Sequence, residues 1–330
     1  MNPGEMMRAL VREVYGNPDV LRIAEVPKPC PGPGELLVKV HAASVAKADW
    51  EILRGKPVWV KLSGFGLFRP KAKILGYNFA GRVEGVGPEV SRFNLGDEIF
   101  GDTLLHGLGA FAEWLCVPQD AAITTRPPGL SPEAAACLPE SGLIALQALR
   151  DHVDLQPGQR VLINGAGGGT GTLAIQLAKI RGTEVTAVDH TAKFDRLRAL
   201  GADHVLDFMH ADFNLPDDRY DLILDIVGVG SLRRWRRSLR AGGVYLTVGG
   251  SIGYLLKTLL LGGVSRLCRG KRVRVFALRH NVPDLVQLAD LALRGEVTPV
   301  IDRRYTLDQT AEAISYVGAG RSIGKLVITP

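Results

Sequence analysis

The sequence predicts an α/β fold with a doubly wound parallel sheet in the middle of the chain and a second, β-rich domain. After Gln156-Pro157-Gly158, short apolar strands alternate with helices, which is typical of a parallel sheet covered on both faces. The apolar run 222–227 fits a strand buried on both faces. The first third of the chain instead has short apolar runs separated by Pro/Gly turns, such as Glu35–Val40 and Arg82–Val86. With 330 residues, the chain is long enough for two domains.

Turn and capping residues give the element boundaries. Ser131 precedes Pro132, which is typical of a helix start, and this helix is expected to reach Arg150 with an interruption near 139–142. Gly201 is placed to end a helix over 192–200. The strands predicted for the parallel sheet are Arg160–Asn164, Glu184–Val188, His204–Leu206, Tyr220–Ile226, Val244–Val248 and Val273–Leu278.

The composition excludes a disordered or fibrous chain, because 46% of the residues are hydrophobic and 22% are charged. The net charge of +6 favours an anionic partner, and a dinucleotide is one. Arginines are dense between Arg233 and Arg240. This run predicts a solvated helix face, with an RNA- or membrane-binding patch as the alternative. We expect no nucleic-acid partner.

The spacing of the cysteines excludes a zinc ribbon and leaves disulfides open. Cys30, Cys116, Cys137 and Cys268 contain no CxxC pair, so a zinc ribbon is excluded. The N-terminal residues lack the apolar core of a signal peptide, and we therefore expect reduced thiols and a cytoplasmic location. The apolar stretch 252–264 is shorter than the ~20 residues of a transmembrane helix, so no membrane span is expected.

A phosphate-binding loop is predicted at 160–171, which reads RVLINGAGGGTG. An apolar strand ends in a glycine cluster and a helix follows, which is the context of a dinucleotide site. Glycines let the backbone approach a pyrophosphate, and the helix N-terminus carries partial positive charge. The loop is an AxGxxG variant of the usual GxGxxG pattern. The residues expected at the cofactor are Ala166, Gly167, Gly168, Gly169, Thr170 and Gly171.

The end of the next strand is expected to set the preference between NADPH and NADH. Asp189 stands where an acidic residue hydrogen-bonds the ribose hydroxyls, and such an acid favours NADH because it repels a 2′-phosphate. His190 and Lys193 follow, and Lys193 could neutralise that phosphate. We expect NADPH or NADH, with NADPH preferred through Lys193. A solvated helix position is the alternative for this lysine.

Four motifs stand out along the chain: LGYNFAGRVEGVG at 75–87, FNLGDEIFG at 93–101, GAFAEWLCVP at 109–118 and QPGQRVLINGAGGGTGTLAIQLAK at 156–179. Together they resemble the motifs of the medium-chain dehydrogenase/reductase superfamily, and within it those of the zinc-independent quinone oxidoreductase branch. The motifs follow in the usual order, and the match covers nearly the whole chain. The resemblance implies a central Rossmann domain over 127–280 and a GroES-like domain built from 1–126 and 281–330. We also expect a homodimer.

The resemblance further implies an NAD(P)H-dependent oxidoreductase that transfers hydride to a quinone or to an activated enone or carbonyl. The zinc-binding members carry a Cys near 46–47 and a His-Glu pair at 77–78, and neither is present here, so no metal is expected. Other donors must then stabilise the substrate oxygen. The candidates are Lys47, Tyr77, Asn78 and, more remotely, Asp49. Val248, Gly249 and Gly250 are expected to flank the nicotinamide, and Val227 is a further residue expected at the cofactor.

Two departures from the branch leave a second function open. Ala46 stands where relatives have Asn, and Ile144 stands where they have Thr. With the arginine run, these changes favour a nucleotide-responsive, zeta-crystallin-like binding protein of low turnover, with RNA as one partner. The run GGSIG at 249–253 matches a hydrolase nucleophile elbow. However, no acidic residue lies between Ser251 and His280 and no histidine follows, which argues against a hydrolase.

Overall fold

A computed structural model describes residues 4–58, 60–209, 217–265 and 270–330. The chain divides into two compact units, the first containing 1–140, 280–295 and 301–330 and the second containing 141–279 and 296–300. These bounds differ from the expected ones in two short segments and at His280, which lies in the first unit. Residues 127–140 lie in the first unit, where the Ser44 hydroxyl donates a hydrogen bond of 2.7 Å to the Ala136 carbonyl. Residues 296–300 lie in the second, where the Gln176 side chain bonds the backbone of Thr298.

The strands and helices follow the predicted alternation. The strands are β1 (Met6–Val11), β2 (Arg22–Pro27), β3 (Glu35–Val45), β4 (Asn78–Val86), β5 (Glu98–Asp102), β6 (Trp114–Pro118), β7 (Ala122–Thr125), β8 (Arg160–Asn164), β9 (Glu184–Asp189), β10 (His204–Asp207), β11 (Tyr220–Asp225), β12 (Leu239–Thr247), β13 (Arg272–Val275), β14 (Ile301–Thr306) and β15 (Lys325–Thr329). The α-helices are α1 (Lys47–Arg54), α2 (Pro132–Cys137), α3 (Pro139–Arg150), α4 (Gly169–Ile180), α5 (Phe194–Ala199), α6 (Leu232–Ser238), α7 (Ile252–Ser265), α8 (Val282–Leu293) and α9 (Thr310–Gly318).

The second unit contains a parallel sheet of six strands among its described residues, in the order β10-β9-β8-β11-β12-β13. The predicted doubly wound parallel sheet is therefore confirmed. Strand β11 is buried along its whole length, as its apolar sequence predicts. From β8 the chain first builds outward through β9 and β10, and it then continues on the other side with β11. The order reverses between β8 and β11, and ligands of such sheets bind at the carboxyl ends of the strands next to this point.

The first unit is β-rich and has the GroES-like architecture. Its larger sheet follows the order β14-β15-β3-β4-β5-β7, with β6 also paired to β3. Strand β3 is the centre of this sheet, because it pairs antiparallel with β4, β6 and β15. Leu36, Phe79, Ile99 and Leu326 are completely buried in the core. Because both ends of the chain supply strands, this sheet joins the N-terminal and C-terminal segments.

Local capping signals largely act as the sequence predicts. The Ser131 hydroxyl accepts a hydrogen bond from the Ala134 N–H, and Pro132 begins α2. Gly201 adopts a φ of +104° just after α5, the left-handed conformation that glycine allows at a helix end. The arginine run is only partly a helix face. Arg233 and Arg237 are exposed on α6, but Arg240 belongs to β12, where it pairs with Asp221 at 3.1 Å.

The described cysteines form no disulfide. Cys30, Cys116 and Cys137 are free thiols, and Cys268 lies outside the described residues. Burial raises the pKa of Cys116 and of Cys137 to about 12. Both thiols therefore stay protonated and unreactive near neutral pH.

Candidate active site

The predicted phosphate loop connects β8 directly to α4. Gly165 has a φ of +83°, which lets the chain turn after the strand. Gly168 then caps the helix with φ −80° and ψ 176°, a conformation open to any residue. The first amide groups of a helix lack partners within it and point toward its N-terminus. The loop therefore presents backbone N–H groups and the positive end of α4, as a pyrophosphate site requires.

Two glycines of this loop have different physical roles. A Cβ at Gly171 would lie 2.4 Å from the Gly165 carbonyl oxygen and 2.5 Å from the Ala166 Cα. Glycine is thus required there for close packing of the helix on the loop. A Cβ at Gly168 would meet nothing closer than 3.6 Å. The space over Gly168 is therefore free of this unit's own atoms, and cofactor contact there stays a prediction.

Asp189 braces the loop from the end of β9. Its Oδ2 accepts a hydrogen bond of 2.7 Å from the Gly167 N–H, and its Oδ1 lies 3.0 Å from the Lys193 Nζ. Both residues are 8% exposed. The sequence predicted a ribose-binding acid and a phosphate-binding lysine. The structure brings them together as a mostly buried ion pair, whereas the neighbouring His190 is exposed.

The loops after β8, β11 and β12 meet at one edge of the sheet. The backbone at Gly165 lies close to the Val227 side chain, because a Cβ added at Gly165 would be only 2.7 Å from it. In the same way, a Cβ added at Gly228 would be only 1.8 Å from the Gly249 carbonyl oxygen. Val227 itself is 47% exposed. The loop residues predicted at the pyrophosphate and those predicted at the nicotinamide thus lie on the same edge, next to the reversal point.

A buried network that the sequence did not identify holds this edge together. The Asp225 carboxylate accepts hydrogen bonds of 2.8 Å from the Asn164 side chain, 2.9 Å from the Gly228 N–H and 2.6 Å from the Tyr245 hydroxyl. Asp225 is completely buried, and burial raises its pKa. These bonds tie the ends of β8, β11 and β12 to one another. Each residue is unremarkable in its own strand, so no local signal could have revealed the network.

The predicted catalytic residues lie in the first unit, and three of them are inside it. Asp49, Tyr77 and Asn78 are 0%, 0% and 1% exposed. The Asp49 carboxylate accepts hydrogen bonds from the Ala46 N–H at 2.8 Å and the Gly76 N–H at 3.2 Å. Asp49 therefore fixes the start of α1, and its role at a substrate stays a prediction.

Lys47 differs from these three because part of its side chain is solvent-accessible. Its Nζ donates a hydrogen bond of 3.0 Å to the Gly318 carbonyl at the end of α9. Burial lowers the pKa of Lys47, while Glu51 in the next turn of α1 raises it. A lowered pKa makes the ammonium a better acid than an ordinary lysine.

Glu140 is the functional candidate that sequence reasoning missed. It follows Pro139 at the start of α3, where an acidic residue is ordinary helix chemistry. In the folded chain its backbone N–H donates a hydrogen bond of 3.0 Å to the Asn78 side chain, and its carboxyl group interacts with Tyr77, Lys325 and Asp102. Burial raises the pKa of Glu140, and Lys325 lowers it. An acidic residue directly after Pro139 was the only sequence signal.

The buried Asp49 makes the stability of the chain depend on pH. Burial raises its pKa to about 7, above the value in an unfolded chain. The contribution of Asp49 to the stability of the fold is therefore fully present below pH ~4 and is lost as pH rises through 7. An asparagine at this position does not titrate. We therefore expect the unfolding free energy of Asp49→Asn, relative to that of the original chain, to rise by about 2–3 kcal/mol between about pH 5 and pH 8. Urea unfolding at both pH values measures this gain, and a constant difference would contradict it.

Comparisons with known proteins agree with this geometry. A family profile described as an alcohol dehydrogenase GroES-like domain matches residues 32–127, and one described as a zinc-binding dehydrogenase matches 200–328. The chloroplastic quinone oxidoreductase QR1 of Triphysaria versicolor is 30% identical over 99% of both chains. The chain belongs to the quinone-oxidoreductase-like branch of the medium-chain dehydrogenase/reductase superfamily.

Other members of the superfamily extend the match. A 2-methylene-furan-3-one reductase of Solanum lycopersicum is 31% identical over 99% of this chain and 80% of its own. The mitochondrial NAD(P)H oxidoreductase RTN4IP1 of Bos taurus is 30% identical over 98% of this chain and 89% of its own. The solved quinone oxidoreductase of Coxiella burnetii has a TM-score of 0.87 at 29% identity, over 99% of this chain and 100% of that one. The chain is therefore an NAD(P)H oxidoreductase acting on a small molecule.

The residues of this superfamily member do not fit zinc, although one matching profile is described as zinc-binding. Zinc takes Cys, His or carboxylate ligands. Ala46 offers a methyl group, and the Asn78 side-chain oxygen already accepts the Glu140 N–H. Within the described ranges, no group of three or more His, Cys, Asp or Glu residues could hold a metal ion. The absence of bound zinc stays a prediction.

Location and assembly also stay predictions. No helix in the described part of the chain is both long and apolar enough to cross a membrane. Two of the relatives are chloroplastic or mitochondrial proteins, so the expected cytoplasmic location is not supported by them. The expected homodimer is untested.

Proposed function

We propose that this chain transfers hydride from NADPH to a quinone or to an activated enone or carbonyl. The observation that carries the proposal is the open space over Gly168 at the N-terminus of α4, in a chain that matches quinone oxidoreductases over nearly its whole length. When bound, the reduced nicotinamide supplies the hydride. The chain's own task is to hold the pyrophosphate on the loop and to provide a proton or positive charge at the substrate oxygen.

Steady-state oxidation of NADPH and NADH with a panel of quinones and enones tests the proposal. Turnover with at least one class is expected. Tight cofactor binding without turnover would instead favour the nucleotide-responsive binding protein. That alternative is supported by the apolar Ala46 and Ile144 and by the exposed Arg233 and Arg237. RNA binding by the same preparation would then be measured directly.

The preference for NADPH is proposed to depend on the Asp189–Lys193 ion pair. Without Lys193, the Asp189 carboxylate would keep its full negative charge beside the 2′-phosphate. We therefore expect Lys193→Ala to shift the ratio of NADPH to NADH affinity toward NADH by at least about tenfold, or roughly 1.4 kcal/mol. Titration of each reduced cofactor by fluorescence measures the ratio. Lys179→Ala is the matched control, because it breaks a comparable Lys–Asp pair with Asp203 at 2.8 Å.

Lys47 is proposed to stabilise charge on the oxygen of carbonyl substrates. A reduced quinone delocalises its negative charge and needs little help, whereas an enone or ketone needs a donor more. We expect Lys47→Ala to lower kcat/KM for an enone by at least about tenfold, roughly 1.4 kcal/mol, and to change quinone reduction little. The exposed Lys39 near Trp114 gives the control variant Lys39→Ala. Equal small effects on both substrate classes would remove Lys47 from the mechanism.

A further inference from the structure

The first unit contains a cluster of titratable groups around Glu140. Asp49 and Glu51 contribute carboxyl groups from α1, and Asp102 contributes one from the end of β5. Lys325 of β15 supplies an ammonium group, and the Tyr77 phenol and the His280 imidazole also interact with Glu140. The acidic groups thus outnumber the cations that face them. A cluster of this composition retains a proton where isolated carboxyl groups would have lost it.

Glu140 occupies a special position in this cluster. Asp49, Tyr77, Asp102 and Lys325 are at most 4% exposed, whereas Glu140 is partly exposed. A proton on Glu140 can therefore reach an external acceptor, while protons on the buried members cannot do so directly. Its backbone is held by Asn78, whose side-chain oxygen accepts the Glu140 N–H at 3.0 Å. The backbone of Glu140 is consequently fixed, and part of the residue is solvent-accessible.

The surroundings also stabilise Glu140 after it loses its proton. The Lys325 Nζ is buried and has no hydrogen-bond partner among the described residues, yet it interacts electrostatically with Glu140. An ammonium group without a partner is costly to bury, and a newly formed carboxylate beside it offsets that cost. His280, whose Nδ1 lies 3.4 Å from Asp102 Oδ2, adds a second group that becomes cationic near neutral pH.

We propose that Glu140 is the proton donor to the substrate oxygen, an inference that rests on the reductase activity proposed above. Hydride addition to the substrate leaves an electron pair on its oxygen. The O–H bond of the Glu140 carboxyl group breaks, its proton bonds to that oxygen, and the electron pair of the broken bond stays on the carboxylate. Water then returns a proton to Glu140. One hydride from the reduced cofactor and one proton from the solvent are consumed in each turnover, so the reduced product carries the same charge as the substrate.

Glu140→Gln tests the donor directly, because it keeps the size of the side chain and removes the acidic proton. Single-turnover reduction of an enone is measured against pH for the original chain, Glu140→Gln and Glu140→Asp. The original chain is expected to slow as pH rises and Glu140 ionises. Glu140→Gln is expected to react about 100-fold more slowly, and its rate should no longer fall as pH rises. Glu140→Asp is expected to keep this descending limb of the pH profile at a reduced rate. Cofactor affinity should stay unchanged in both variants.

Glu133→Gln is the matched control, since Glu133 is a partly exposed acid of the same unit that pairs with Arg304 at 2.8 Å. It should keep both the rate and the pH dependence. A Glu140→Gln enzyme with the original pH profile and a rate within about twofold of the original would overturn the proposal. If Glu140→Gln does not fold, the rate and the descending limb measured for Glu140→Asp test the proposal in its place.

Infrared spectroscopy gives a readout that does not depend on turnover. Carbonyl bands of protonated carboxyl groups should titrate in the original chain, and Asp49 contributes one of them because burial raises its pKa to about 7. The band of Glu140 is the one that Glu140→Gln loses and Glu133→Gln keeps. Identical bands in Glu140→Gln and the original chain would overturn the proposal. If the original chain reduces neither quinones nor enones, the proposed function fails, and the infrared result still decides whether Glu140 holds the proton.

Discussion

Gly168→Val is expected to lower the affinity for NADPH and for NADH by at least about 100-fold, roughly 2.7 kcal/mol, with little change in the stability of the fold. The reason is that the space over Gly168 is free of its own unit's atoms, because a Cβ added there would lie 3.6 Å from its nearest neighbour. The φ of −80° at this residue also suits valine. The added methyl groups would thus occupy ligand space and not strain the protein.

Fluorescence titration with each reduced cofactor measures this loss, and urea unfolding without cofactor measures stability. Gly168→Ala provides a graded comparison, because one methyl group fills less of the same space. We expect its affinity to fall between those of the original chain and Gly168→Val. Unchanged cofactor affinity in Gly168→Val would place the pyrophosphate elsewhere and refute the proposed loop.

Gly171→Val is expected to have the opposite effect, a loss of stability of at least about 3 kcal/mol. The new Cβ would lie 2.4 Å from the Gly165 carbonyl oxygen and 2.5 Å from both the Cα and the carbonyl oxygen of Ala166. These are backbone atoms, so they cannot move aside as a flexible side chain would. Helix α4 must shift away from the loop, which disturbs the packing of Leu173 and Ile175, both at most 1% exposed.

Urea unfolding of Gly171→Val without cofactor tests this second result. Gly168→Val is the control, since it makes the same substitution three positions earlier in the loop. A pair of variants with equal stability would contradict the separate roles assigned to the two glycines. An unfolding free energy that falls only in Gly171→Val would show that one glycine serves the fold and the other serves the ligand.

The phosphate loop illustrates what the sequence could predict. Strand β8, the glycine cluster and α4 are consecutive in the chain, so local periodicity and the conformational freedom of glycine are enough to predict the loop. The buried run of β11 and the helix start at Ser131 were predictable for the same reason. In each case the decisive interactions join residues that are close in sequence.

The side chains of the candidate site were less predictable. Asp189 and Lys193 were predicted as separate cofactor contacts, but their ion pair and the hydrogen bond from Gly167 to Asp189 depend on how β9 returns beside the loop. Asp49 was predicted as a donor, yet both its oxygens accept backbone N–H groups. The sequence shows that a residue can ionise, but not whether burial leaves it accessible.

The sequence by itself determined the class of fold, the superfamily and the strand–loop–helix geometry of the predicted nucleotide loop, because each depends on local patterns and ordered motifs. Only the tertiary structure placed Glu140 beside Asn78 and Lys325, residues 62 and 185 positions away in the chain. It also tied Asp225 to Asn164 and Tyr245. The physical reason is that pKa and proton transfer depend on charges and burial within a few ångströms, and chain folding alone sets those distances.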